Sequence, residues 1–95
     1  AGQGAMFTRA YTSCCVCSPT RASLMTGKYP QRVGFTTYLE PGKPFGPNSV
    51  QTHLPVSETT IGEAFQQAGY RTGYIGKWHV GSEEIGMPKQ QGFDW

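Results

Sequence analysis

The chain has 95 residues, 37% hydrophobic and 15% charged, with 13 glycines and seven prolines. That composition is globular and turn-rich, which excludes a disordered chain, and the length leaves room for one domain at most. The formal charge of +2 arises from eight basic and six acidic residues scattered without a run, which argues against nucleic acid as a partner.

No stretch approaches the ~18 to 20 consecutive apolar residues of a membrane span, and the opening "AGQGAMFTRAYT" lacks the charged-then-apolar plan of a signal peptide. Three cysteines are an odd number, so at least one stays unpaired within the chain. A chain this short buries only a modest core, and few regular elements are expected, so it reads as a piece of something larger.

The first predicted element is "AMFTRAYT", where apolar Met6 and aromatic Phe7 and Tyr11 with β-branched threonines read as a short strand. A short helix follows over Pro19 to Thr26. Ser18 is its expected N-cap, Pro19 suits the first helical position, and Gly27 suits the left-handed position after the end. Residues 28–58 carry prolines at 30, 41, 44, 47 and 55 and glycines at 34, 42 and 46, a density that forbids any long regular element. Such a loop is usually functional or covers something.

The clearest helix begins at Thr60. Thr60-x-x-Glu63 is a capping box, Ile61, Ala64, Phe65 and Ala68 repeat at helical spacing, and Gly69 ends it. "YRTGYIG" (70–76) then reads as a strand burying Tyr74 and Ile75, so that helix and strand make half of an α/β crossover. The closing segment "SEEIGMPKQQGFDW" is polar and turn-rich and supplies no further element.

Two stretches could carry chemistry. In "CCVCSPTRASLMTG" (14–27), Cys17 is expected just before a helix N-terminus, where unpaired N–H groups and the positive end of the dipole favour an anionic or nucleophilic group. Arg21 lies one helical turn later and leans back toward Cys17. A fixed guanidinium beside a nucleophile suits a tetrahedral oxyanion such as sulfate or phosphate. The plainer alternative is a capped helix with a buried cysteine and a surface arginine. Cys14, Cys15 and Cys17 are too crowded for the usual zinc pair, and a disulfide between adjacent Cys14 and Cys15 would be strained.

The second stretch is "GYIGKWHVG" (73–81). If the preceding strand belongs to a parallel sheet, Lys77 and His79 fall just past its carboxyl end, where open α/β sheets place their ligands. In extended chain, spacing of two puts both side chains on one face and Trp78 on the other. The alternative is a solvated lysine and a packed histidine. The residues around Gly76-Lys77 do not form a phosphate-cradling loop, and His53, in the proline-rich loop, has no partner pattern.

Together these stretches resemble the type I, formylglycine-dependent sulfatases of the alkaline-phosphatase-like superfamily. Cys17-Ser18-Pro19-Thr20-Arg21, with Leu24 and Thr26-Gly27 behind it, resembles that family's Cys-x-Pro-x-Arg signature, and "GYRTGYIGKWHVG" its second signature. "FTRAYT", "ETTIGEAFQQAGY" and "QGFDW" are similar to text in the same order, so the resemblance spans nearly the whole chain. It implies an α/β fold, a mixed, mostly parallel sheet flanked by helices. Residues 1–95 would be an N-terminal portion of the catalytic domain, lacking the upstream and downstream metal-ligand segments and inactive in isolation.

The resemblance also implies a chemistry. Cys17 would be the modified residue, oxidised by a formylglycine-generating maturation enzyme to an aldehyde that hydrates to a geminal diol. The diol attacks sulfur, and its spare hydroxyl later expels sulfate and restores the aldehyde, so two easier steps replace one hard one. Arg21 would hold the diol, Lys77 would bind sulfate and diol, and His79 would hydrogen-bond the diol and take its second proton. Fixed positive donors would supply much of the acceleration.

The cofactor implied is a divalent cation, calcium, touched from this chain only by the diol oxygen of modified Cys17, with its other ligands elsewhere. The substrate would be a sulfate ester, carbohydrate or aryl, in a periplasmic, secreted or lysosome-like setting. A phosphonate or phosphate monoester hydrolase of the same superfamily, and a non-catalytic binding homologue, are the alternatives. Cys14 and Cys15 lie outside the signature.

Overall fold

The computed structural model describes residues 2–40, 52–82 and 84–95. Among them the regular elements are two α-helices, α1 (Cys17–Thr26) and α2 (Ile61–Gln67), and two four-residue 3₁₀ turns, Pro30–Val33 and Pro88–Gln91. Much of the long proline-rich loop, including Pro41, Pro44 and Pro47, lies outside the described residues.

Helix α1 ends as expected: Gly27 takes the left-handed conformation (φ 68°), and its N–H donates to the Ser23 carbonyl at 2.8 Å. Its start differs from expectation. The N-cap is Val16, which offers no side-chain acceptor, and the helix begins at Cys17. Ser18 is instead fully buried and accepts a hydrogen bond from the Leu39 N–H at 2.9 Å. A tertiary partner has taken the hydroxyl that local chemistry assigned to the cap. Pro19 then sits at the third helical position, where its missing N–H still removes no intrahelical bond.

Helix α2 has the expected reciprocal cap: Glu63 N–H donates to Thr60 Oγ1 at 3.2 Å and Thr60 N–H to Glu63 Oε2 at 2.8 Å. Its apolar repeat does not face the core, because Ile61 and Phe65 are 43% and 46% exposed and Ala64 and Ala68 are also exposed. The buried face is Gly62, over which the carbonyls of Gln91 and Gly92 and the Phe93 ring close. The contact is made by main chain, so the residue with no side chain marks it.

The core gathers Ala22 and Met25 of α1 with Val33, Phe35, Leu54, Trp78, Val80 and Phe93, flanked by Leu39 and Tyr74. Tyr74, Trp78 and Phe93 meet edge to face, with ring centroids 4.9 to 5.9 Å apart. Buried polar groups stitch it together. Gln91 Nε2 donates to the Leu54 carbonyl at 3.2 Å, Thr60 Oγ1 to the Gln91 carbonyl at 2.6 Å, and the Leu54 N–H to the Val80 carbonyl at 2.7 Å.

No strand forms among the described residues, which corrects both strand expectations. Residues 6–12 are exposed with no backbone partner described, and Ile75 is 87% exposed rather than buried. A strand exists only by pairing, and residues 71–77 find only isolated bonds. Asp94 N–H donates to the Thr72 carbonyl at 2.9 Å and Tyr74 N–H to the Trp95 carbonyl at 2.8 Å. The chain exposes 6794 Å², against about 5,400 Å² for a compact monomer of this mass. Met6, Phe7, Tyr11, Tyr70 and Ile75 are among the large apolar side chains in that excess. No described helix is long and apolar enough to cross a membrane.

Candidate active site

Cys17 occupies the first turn of α1, half-buried, with its Sγ 3.2 Å from His79 Nδ1. The two residues are 62 positions apart, so the two stretches singled out in the sequence converge at one point. His79 gets there by an unusual backbone: its φ is +57°, the one positive value at a non-glycine residue among those described. Left-handed geometry costs an L-residue roughly 1–2 kcal/mol, though histidine tolerates it better than most. The chain leaves extended geometry at His79, while Lys77 is exposed and Trp78 between them is buried.

His79 Nε2 lies 3.0 Å from the Leu39 carbonyl. A carbonyl oxygen only accepts, so the ring nitrogen facing it carries hydrogen and, in the neutral ring, Nδ1 presents a lone pair to Cys17. The imidazole is thereby placed to take a proton from residue 17.

Arg21 does project toward the same region. Its Nη1 donates to the Tyr74 hydroxyl at 3.2 Å and also to the Lys77 main-chain carbonyl, which the Tyr74 hydroxyl donates to as well. Its Nε is buried without a partner among the described residues. Arg21 and Lys77 are therefore tied through the backbone of residue 77. The Lys77 side chain is exposed, and its ammonium makes no hydrogen bond within the described residues.

An open cavity of ≈ 440 Å³ lies between Cys14, Cys15, Cys17, Thr20, Arg21 and Leu24. Thr20 and Thr12 both donate to the Cys14 carbonyl, pinning the approach to α1 against the helix. All three cysteines are free thiols. His53 faces Thr52, with Nδ1 and Oγ1 3.3 Å apart, and has no connection to Cys17.

Three participants escaped the sequence reading. Ser18 carries the signal of a cap, Tyr74 reads as a buried ring rather than a hydroxyl donor, and the Leu39 main chain carries no signal because its contribution is independent of its side chain. A divalent cation does not fit the described residues alone. Among them no three His, Cys, Asp or Glu side chains converge, and the donors beside Cys17 are an imidazole and a guanidinium rather than the hard oxygens calcium takes.

The family model described as Sulfatase matches residues 1–95. An arylsulfatase of Hemicentrotus pulcherrimus is 43% identical over 101 residues, covering 100% of this chain and 18% of that protein. Arylsulfatase G of Homo sapiens is 43% identical over 95 residues, covering 100% and 17%. N-acetylgalactosamine-6-sulfatase of Mus musculus is 37% identical over 95 residues, covering 99% and 18%. The crystal structure of Ps i-CgsB in complex with k-i-k-neocarrahexaose matches with a TM-score of 0.72 at 34% identity, over 88% of this chain and 17% of that one. The chain thus spans under a fifth of the length of these relatives.

Proposed function

Because the chain belongs to the sulfatase family and has the fold of part of an alkaline-phosphatase-like sulfatase domain, we propose that it carries the nucleophile end of a type I sulfatase site. The observation that carries this reading is the 3.2 Å approach of His79 Nδ1 to Cys17 Sγ at the start of α1. The sulfur stands in for the oxygens of a geminal diol made when a maturation enzyme oxidises residue 17 to formylglycine. One diol hydroxyl attacks the sulfur of a sulfate ester, the ester S–O bond breaks, and the ester oxygen leaves as the alcohol with the proton given up by that hydroxyl. His79 Nδ1 then takes the proton of the second hydroxyl, the aldehyde C=O reforms, and sulfate departs.

Arg21, held by Tyr74 and the Lys77 carbonyl, supplies fixed positive charge beside residue 17, and the Lys77 ammonium, which makes no hydrogen bond among the described residues, is the group left to reach a sulfate oxygen. A sulfated carbohydrate or aryl sulfate is the substrate class, met in an exported or lysosome-like compartment.

Two measurements on the full-length protein test the reading. Mass spectrometry of the tryptic peptide Ala10–Arg21, after co-expression with the maturation enzyme, should show sulfur lost from Cys17 and an aldehyde gained; an intact thiol there makes the protein a non-catalytic homologue. Turnover should be greater on aryl sulfate than on aryl phosphonate, and the reverse order would assign it to the phosphonate hydrolases.

A further inference from the structure

We infer that Ser18 and the Leu39 main chain form a positioning relay that fixes His79 as its Nε2–H tautomer and so aims the Nδ1 lone pair at residue 17. Three contacts build it. The fully buried Ser18 hydroxyl accepts from the Leu39 N–H at 2.9 Å, the Leu39 carbonyl faces His79 Nε2 at 3.0 Å, and His79 Nδ1 faces Cys17 Sγ at 3.2 Å. The circuit is closed covalently, because Ser18 follows Cys17 in the first turn of α1.

The argument is one of donors and acceptors. Leu39 is gripped at both its N–H and its C=O, so its carbonyl is not free to swing away from the imidazole. Were the neutral ring to carry its hydrogen on Nδ1, the Nε2 lone pair would face the carbonyl's own lone pairs, and a half-buried acceptor would be left unmet. The relay excludes that tautomer. It admits the imidazolium, which keeps Nε2–H on Leu39 while Nδ1 holds the proton gained from residue 17. Proton uptake therefore needs no ring flip and no rearrangement of residue 39. The catalytic consequence rests on the proposed sulfatase reading; the tautomer does not.

Ser18 is thus a positioning residue acting through Leu39 and His79. The test uses full-length protein labelled with ¹⁵N-histidine, the His79 signals being assigned by their loss in His79→Gln. In the wild type, Nε2 should show the protonated, pyrrole-type shift and Nδ1 the unprotonated, pyridine-type shift. Ser18→Ala should mix the tautomers and lower kcat by roughly 10- to 100-fold, taking as guide the outer hydrogen bonds that orient metal-bound imidazoles. KM should stay the same, and mass spectrometry should still find residue 17 converted.

Ser18→Thr keeps the hydroxyl and should restore the tautomer and most of kcat. A wild-type spectrum of the neutral ring with Nδ1 protonated and Nε2 unprotonated overturns the relay, as does Ser18→Ala with tautomer and kcat both unchanged. Should Ser18→Ala fail to fold or to be converted, the wild-type spectrum decides alone. If the wild type hydrolyses no sulfate ester, the sulfatase reading falls, and the spectrum still judges the relay.

Discussion

Replacing Gly62 with alanine sets helix propensity against packing, and the two give opposite signs. Inside a helix, alanine is favoured over glycine by about 1 kcal/mol, so propensity alone makes Gly62→Ala stabilising. A Cβ at this position would lie 2.8 Å from the Gln91 carbonyl oxygen, the Gly92 carbonyl oxygen and Phe93 Cε2. Neither carbonyl is free to give way. Gln91 O accepts from Thr60 Oγ1 at 2.6 Å, and Gly92 O accepts from Thr72 Oγ1 at 2.7 Å. Overpacking against main chain costs about 1–3 kcal/mol, and weakening one of those bonds adds about 1 kcal/mol. After the propensity gain, Gly62→Ala should destabilise by roughly 1–3 kcal/mol. Urea unfolding of wild type and variant, followed by tryptophan fluorescence with equal m-values, measures the difference. A variant as stable as wild type, or more so, would refute the close approach of α2 to residues 91–93.

Cys17→Ala should bring sulfate ester hydrolysis down to background with an unchanged far-ultraviolet circular dichroism spectrum; retained turnover would remove residue 17 from the reaction. Tyr74→Phe keeps the edge-to-face contacts with Trp78 and Phe93 but deletes a hydroxyl bonded to both Arg21 and the Lys77 carbonyl. It should cost about 0.5–1.5 kcal/mol in chemical denaturation, and no change at all would mean that the hydroxyl bonds are not maintained in solution. Asp94 is held below its ordinary carboxylate value, first by the Thr72 N–H and also by the Gln66 amide and the Thr72 hydroxyl, against a smaller opposing cost of desolvation. Because its pKa is lowered on folding, its contribution is present above the unfolded value of 3.8 and is lost as pH falls through the folded one. Asp94→Asn should therefore be less stable than wild type at neutral pH and converge with it in acid, and a gap that does not narrow would contradict the assignment.

What could be read in advance was local. Gly27 at the end of α1 and the Thr60–Glu63 box at the start of α2 depend on chain neighbours only, and both stand where the sequence puts them. The four site candidates stand out by residue type and spacing, and Cys17 and His79 are brought together in the fold. The positive φ of His79 carries no local signal. What could not be read depends on distant partners. Ser18 looks like a cap until Leu39 takes its hydroxyl, Ile61 and Phe65 look like a core stripe until Gly62 makes the contact, and segments of strand composition stay unpaired without neighbours. Each miss occurs where the deciding atom belongs to residues tens of positions away, and often to their main chain.

Three of the bonds that hold the site together end on backbone atoms: Arg21 on the carbonyl of residue 77, and Ser18 and His79 on the amide and carbonyl of residue 39. In evolutionary terms that divides the burden unevenly. Position 39 must supply an N–H and an apolar side chain for the core beside it, so descendants of this sequence can exchange leucine there for other apolar residues but not for proline. The arginine and the histidine have no such freedom, and a lysine lost at 77 would take its charge from the site while leaving the grip on Arg21 intact.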